Sequence, residues 1–393
     1  MTSHRIYRLQ SEIKNPILIK KKENLLYLTG HVFDYRAEEY LLIKPSPRPS
    51  PKGRGGQDLV VGFGSGLEKI TWAKRADRFK NIGKYIARNQ TLELFGEFTY
   101  AEVKYLRVKN PGLRIKINVK HSPVDYQRMI KSSEEIKLVG KSMSIVAKVF
   151  EIVKKQLRKK SWTEEGLAKF IMERGYKFGA QDISFPAIVA SGPNAAIPHH
   201  IPSNKRLKVG ESIIIDFGFK YKNYCSDFTR TVFLKRVPPR LEKAYKQVEK
   251  AYNECLSLRV HPKQSDVLRH PERSEGSVYR LPRPSAALGA RNDKVLTGND
   301  LYQKAVDVLK EKHLDKYFIH SLGHGTGLEI HELPNLSPNS KDILKENMVF
   351  SIEPGVYIPK LGGIRIEDLV YLNKSQVKKF INISTNLKEN IIK

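Results

Sequence analysis

At 393 residues, 40% of them apolar, the chain is long enough for two domains with their own cores, and it shows no bilayer-length apolar run and no apolar stretch in Met1 to Leu9, so it is expected in the cytoplasm, without a membrane. Its two cysteines, Cys225 and Cys255, lack the spacing of a metal or redox motif; a disulfide framework is excluded, and Cys225 reads as a small buried apolar residue. The net charge of +29 is spread along the chain, with short runs at Lys20 to Lys22 and Arg158 to Lys160 and no interleaved aromatics, so it reads as a solvated lysine surface rather than a nucleic-acid track.

Residues 1–122 read as a small α/β domain. Apolar runs predict strands at Pro16–Ile19, Leu25–Leu28, Tyr40–Ile43, Leu59–Val61 and Leu92–Phe95, and helical spacing falls around Ile6–Ile13, Trp72–Ala87 and Tyr100–Val108. The Pro-rich, basic stretch from Lys44 to Gln57 interrupts this pattern and reads as an insertion over about 45–57. A second domain is expected over 123–393. Ser132-Ser133-Glu134-Glu135 is a capping box before a helix whose apolar face carries Ile136, Val139, Met143, Val146, Val149, Phe150 and Val153. A helix over Glu164 to Arg174 follows, and then a strand from Phe185 runs into the loop Ser191 to His200. Helices around Tyr245–Leu258 and Thr297–Lys312 are separated by a stretch of foreign composition over about 261–293, which reads as a second insertion; long surface loops cost little closure entropy.

Between the loop and those helices lies Ile213-Ile214-Ile215-Asp216, turn-prone residues at Lys220 to Asn223, and Asp227-Phe228-Thr229-Arg230-Thr231-Val232, a hairpin pattern. The fold-back can bring Asp216 and Asp227 to one pocket, where two anions repel. The hairpin alone leaves two readings open: a bound cation, or pairing with the many Lys and Arg residues. Further on, His320 to Glu332 sets histidines among glycines, where backbone can approach a ligand closely. Ser351 to Tyr357 and Gly362 to Asp368 then repeat a strand, turn, strand pattern with one acid on each arm, Glu353 and Glu367. Four carboxylates and an imidazole suit two divalent ions of the Mn, Co or Zn kind, and do not suit a structural zinc.

The order Asp216, Asp227, His324, Glu353, Glu367 in these contexts resembles the metallopeptidase family of methionine aminopeptidases, Xaa-Pro aminopeptidases and prolidases. The resemblance implies an α+β chain: a pita-bread catalytic domain, a curved antiparallel sheet with helices, after a smaller α/β domain. Glu23 to Gly30 is similar to the N-terminal domain of creatinases, prolidases and Xaa-Pro aminopeptidases, which simple methionine aminopeptidases lack. It further implies that two metal ions share those five ligands and hold a water between them as nucleophile. Glu353 is then ligand and general base, with His331 and His199 serving the substrate carbonyl and His320, Tyr357 and Arg365 standing behind the site. His200 stands where the family usually has glycine, which leaves open which imidazole is used. A homodimer is also expected from the resemblance.

The motif His331-Glu332-Leu333-Pro334 points to peptides with proline in second position. Prolidases tend to carry arginine next, to clamp a dipeptide carboxylate; Asn335 here favours longer peptides and hence an Xaa-Pro aminopeptidase, with an Xaa-Pro dipeptidase as the alternative. Creatinase-like metal-free chemistry is disfavoured by the five retained ligands. So is a non-enzymatic ribosome- or nucleic-acid-binding protein on this fold, since such proteins lose them.

Overall fold

The computed structural model describes residues 121–259 and 295–393 without a break, and before them 5, 8–9, 13, 17–19, 21–30, 41–43, 60–61, 90–96, 98 and 100–118. Both expected insertions and the helix expected over Trp72–Ala87 lie outside the described residues, as does most of Ile6–Ile13. The chain separates into two compact units, the first holding the described residues up to Arg128, the second those from Met129 on.

In the first unit, β1 (Ile17–Ile19), α1 (Lys22–Thr29), β2 (Leu41–Ile43), β3 (Val60–Val61), β4 (Thr91–Phe95), α2 (Tyr100–Lys109) and β5 (Arg114–Asn118) follow in order. The sheet runs β3-β2-β1-β4-β5, with β1, β4 and β5 parallel and β2 and β3 antiparallel on one side. Leu18, Leu92, Leu94, Val103 and Leu106 form its core. One expectation fails here: Leu25–Leu28 is not a strand but the middle of α1. A short leucine-rich run fits either period, and two local signals decide for helix, Glu23 in the first turn and Gly30 closing the end at φ 74°. β5 was not expected, because its Arg-Ile-Lys-Ile-Asn alternation leaves no buried face.

α3 (Pro123–Met129) runs to the boundary, and α4 (Ser133–Lys159) opens the second unit with the capping box in place: Ser132 accepts from the Glu135 N–H while the Glu135 carboxylate accepts from the Ser132 N–H. Val139, Met143, Val146, Val149, Phe150 and Val153 are buried along one stripe, each worth roughly 1.5–3 kcal/mol of transfer energy. The Ser142 hydroxyl, on the same helix, donates to the Phe219 carbonyl at 2.6 Å, so α4 is fixed to the hairpin beside it. α5 (Glu164–Lys177), β6 (Asp182–Ile183), β7 (Ile188–Ser191), β8 (Ser212–Asp216), β9 (Phe219–Tyr221), β10 (Tyr224–Cys225) and β11 (Phe228–Leu234) come next. Then follow α6 (Pro239–Ser257), α7 (Gly298–Lys310), β12 (Gly323–Gly325), β13 (Glu332–Leu336), β14 (Val349–Ile352), β15 (Gly355–Ile358), β16 (Gly362–Arg365) and β17 (Glu367–Asn373).

The main sheet is antiparallel in the order β13-β12-β14-β17-β11-β8-β7. The hairpin expected over Ile213–Val232 is broken into two tiers. β8 pairs with β11, whereas β9 and β10 leave for a separate small sheet with β6. Lys222 and Asn223 make the turn between β9 and β10 with φ of 46° and 69°. The second acidic segment is built the same way, with β14 paired to β17 and β15 to β16. Arg365 and Glu367 therefore do not share a strand: Arg365 ends β16 and Glu367 begins β17.

Candidate metal centre

Strand register collects the acids. Glu367 lies opposite Thr229, and Thr229 opposite Asp216, across β17, β11 and β8. The Ile352–Asp368 pair ends the β14–β17 ladder, and Glu353 follows it directly, its N–H donating to the Leu322 carbonyl at 2.8 Å. Directly opposed residues of antiparallel strands share a face, as do residues two apart on one strand. So Glu367, Thr229 and Asp216 belong to one face, and Asp227 and Glu353 lie just off the strand ends beside it, at the frayed ends of the two hairpins. His324 comes onto it from β12, its backbone N–H donating to the Ser351 hydroxyl at 3.1 Å. The glycines beside His324 serve the sheet, not a ligand: a Cβ on Gly323 would meet the Ser351 carbonyl, and one on Gly325 the Leu333 carbonyl, each at 2.0 Å.

Donor atoms of Asp227, His324 and Glu367 all lie within 4.8 Å of one another. His324 Nε2 stands 3.5 Å from Asp227 Oδ2 and 3.4 Å from Glu353 Oε1, about the separation that two donors take around an ion with bonds of roughly 2.0–2.2 Å. Its tautomer is set correctly. Nδ1 faces the Gly325 carbonyl at 3.0 Å, so it carries the proton and leaves the Nε2 lone pair to the site. Burial, helped by neighbouring His331, lowers the His324 pKa to about 4, so the ring is neutral.

The four carboxylates are crowded. Burial, then Asp216 and Glu353, push Asp227 well above the usual carboxylate range, and burial with the other three acids does the same to Glu367. Burial raises Glu353 to about 7, and raises Asp216 despite its ion pair with Arg365 at 2.5 Å. Buried Asp216 Oδ1 finds no hydrogen-bond partner among the described residues. One guanidinium does not neutralise three buried acids and the part-buried Glu353; two divalent cations would, and they would also take the orphaned oxygen. The donor set fits such ions.

Behind this face a relay of hydrogen bonds fixes the acids. Arg365 donates to Asp216 and, at 2.7 Å, to the Tyr357 hydroxyl. Tyr357 in turn donates to His320 Nε2 at 2.9 Å, because His320 Nδ1–H is given to the Ser321 carbonyl. Thr229 accepts from Arg365 Nε and donates to Glu367 at 2.6 Å, and Ser351 donates to Glu353 at 3.1 Å. Thr229 and Ser351 were not singled out from sequence, although each lies two residues from an acid on the same face. His331 packs edge-on against His324, centroids 4.3 Å apart, and His331 and His199 are both exposed. His199 is near enough to Asp216, His320 and His331 to influence the titration of each. His200 turns the other way, its Nε2 2.9 Å from Glu164. Hydrogen bonds and donor distances thus bring Asp216, Asp227, His324, Glu353, Glu367, His320, Tyr357 and Arg365 together with His331 beside them, while His200 is held by Glu164 and His199 is exposed nearby.

Comparison with known proteins agrees with this geometry. Residues 137–266 and 286–374 match metallopeptidase family M24, and the match skips 267–285. The Xaa-Pro dipeptidase of Pyrococcus furiosus is 31% identical over 318 residues, 79% of this chain and 79% of that protein. An Xaa-Pro dipeptidase structure from Bacillus anthracis aligns with a TM-score of 0.79 at 24% identity, covering 98% of this chain and 99% of its own. The X-Pro aminopeptidase from Thermotoga maritima aligns with a TM-score of 0.71 at 23% identity, covering 95% and 96%. Those two likenesses establish the fold, the expected curled antiparallel sheet preceded by a small α/β unit.

Proposed function

Because the chain belongs to metallopeptidase family M24, we propose that it is an Xaa-Pro aminopeptidase, releasing the residue in front of proline from the N-terminus of peptides longer than two residues. The observation that carries the reading is the convergence of three buried acids, the part-buried Glu353 and a neutral imidazole, with one Asp216 oxygen unpartnered among the described residues. Asp216, Asp227, His324, Glu353 and Glu367 would hold two divalent ions of the Mn, Co or Zn kind. When bound, these supply an acidified water and polarise the scissile carbonyl.

The chain's own groups do the rest. Glu353, oriented by the Ser351 hydroxyl, takes a proton at its carboxylate and passes it to the leaving amine. His331, whose pKa partial desolvation beside the site and then the nearby His199 lower, meets the carbonyl oxygen together with His199 as charge develops there. The Arg365 guanidinium holds Asp216 and Tyr357 in place through the reaction.

Dipeptidase action is the second reading, and the name of the Pyrococcus furiosus relative favours it. Against it stands Asn335, which pairs with His324 across β13 and β12 and is exposed. It brings a neutral amide, not a cation, to where a dipeptide's carboxylate would need one. Metal-stripped protein reloaded with Mn or Co should cleave Xaa-Pro-Xaa tripeptides with higher kcat/KM than Xaa-Pro dipeptides. Preference for dipeptides would establish the second reading, and full activity of stripped enzyme in excess chelator would remove both.

A further inference from the structure

Outside the acid face, the most heavily bonded side chain among the described residues of the second unit is Glu164, the first residue of α5. It is fully buried and sits beneath the loop that carries His199. Its Oε1 accepts from the Ser191 N–H and hydroxyl, both at 2.8 Å. Oε2 accepts from His200 Nε2 at 2.9 Å, the Ser203 hydroxyl at 2.7 Å and the Ser203 N–H at 3.2 Å. The Asn194 amide donates to both oxygens at 3.1 Å. The start of α5 grips the same loop by its backbone, the N–H groups of Glu164 and Glu165 donating to the carbonyls of Lys205 and Ser203. Lys205 closes the set by donating to Ser191 at 2.7 Å and pairing with Glu211.

One carboxylate therefore ties the start, middle and end of residues 191–203. Between the ties, the Pro198 carbonyl accepts from Arg365 at 3.3 Å, and His199, next in the chain, is near enough to Asp216 for the two to interact electrostatically. Adjacent His200 is drawn onto Glu164, and His199 stays exposed. A lone α5 terminus would attract any anion; here four residues of one loop converge on the acid.

We propose that Glu164 is a positioning residue for this site: through His200, Ser191, Asn194 and Ser203 it sets where His199 stands over the substrate carbonyl. The inference rests on His199 having the role given it above. Glu164→Gln keeps the shape but offers an N–H₂ where only donors face it, so the loop must shift to relieve an unmet donor. A shift of about 1 Å in a substrate-facing group costs up to roughly 100-fold. Glu164→Gln should therefore lower kcat/KM roughly 10- to 100-fold on Xaa-Pro peptides, mostly in kcat.

A double-variant cycle separates positioning from general damage. In a His199→Ala background, Glu164→Gln should produce no further loss. Wild-type kcat/KM in Glu164→Gln, or losses that multiply in the double variant, would overturn the proposal. Should Glu164→Gln fail to fold, His200→Asn and Ser203→Ala enter the same cycle, with smaller losses that His199→Ala again absorbs. Amide exchange reads the latch without reference to what is cleaved: Glu164→Gln should lose protection over 191–205 while β8 and β11 keep theirs. Unchanged protection there sinks the inference. Wild-type protein with a protected loop but no cleavage of any Xaa-Pro peptide counts against the proposed function instead.

Discussion

Glu353 and Thr229 are asked to do different things, and their variants should fail differently. Glu353→Gln removes the proton acceptor and should cost roughly 10²–10⁴-fold in kcat, while leaving the other four donors to bind metal in a calorimetric titration. Thr229→Val removes the hydroxyl between Arg365 and Glu367 and should weaken metal affinity roughly 10- to 100-fold, as loss of a ligand's hydrogen-bond partner does. Glu164 offers a pH test. Burial raises its pKa, but the bonds from Ser203, His200 and Ser191 outweigh burial and hold the group below its ordinary 4.5. An acid with a lowered folded pKa contributes stability above its unfolded pKa and loses it as pH falls through the folded value. The stability advantage of wild type over Glu164→Gln should accordingly be constant near neutrality and shrink below about pH 4.5 in urea titrations. Cys225, two residues from Asp227, is a contrast: burial pushes its thiol up to about 12, so thiol reagents at neutral pH should leave the native enzyme active.

The two acidic hairpins share one construction: a paired base, an upper tier that turns away, and an acid on each side of the break. At the first break Gly218 passes so close to the opposite strand that a Cβ would meet the Ser226 carbonyl at 1.9 Å. Gly218→Ala should cost roughly 1–3 kcal/mol of stability by overpacking and should weaken metal binding, because it spreads the arms bearing Asp216 and Asp227. An unchanged denaturation midpoint would show that the arms close without that contact. Much of this element was legible in the chain. The β-branched run ending in Asp216 and the alternation from Asp227 through Thr229 specify two strands and a common face. The break was not legible, because Phe217 and Phe219 continue the apolar pattern and nothing local says that the ladder ends between them. Leu25–Leu28 misled for the same reason, a run too short to show its period. Glu164 was read only as a helix start; its partners lie 27 to 39 residues away, and no local pattern encodes such convergence.

For the molecule as a whole, the question is which parts of the chain the site depends on. Among the described residues no helix is long and apolar enough to cross a membrane, and the acid face is built from strands β8 to β17 of the second unit and the breaks between them. α6 and α7 brace that unit as an antiparallel pair. Gln247 donates to the Val308 carbonyl, Cys255 Sγ lies 3.7 Å from the Leu301 carbonyl, and Lys304 and Lys250 pair with Glu254 and Glu311. These contacts are made directly between the helices, and the stretch joining them, residues 260–294, lies outside the described residues. The family match is also interrupted at 267–285, inside the stretch whose composition reads as an insertion. We propose that this stretch contributes to neither fold nor catalysis. Roughly halving a long connection changes its closure entropy by only about 0.6 kcal/mol, so deleting residues 269–290 should shift the unfolding midpoint slightly and leave kcat/KM on Xaa-Pro peptides within about twofold. Collapse of the fold on deletion would mean that α6 and α7 need the intervening chain to find each other. Lost activity in a folded deletion variant would mean that the insertion reaches the substrate.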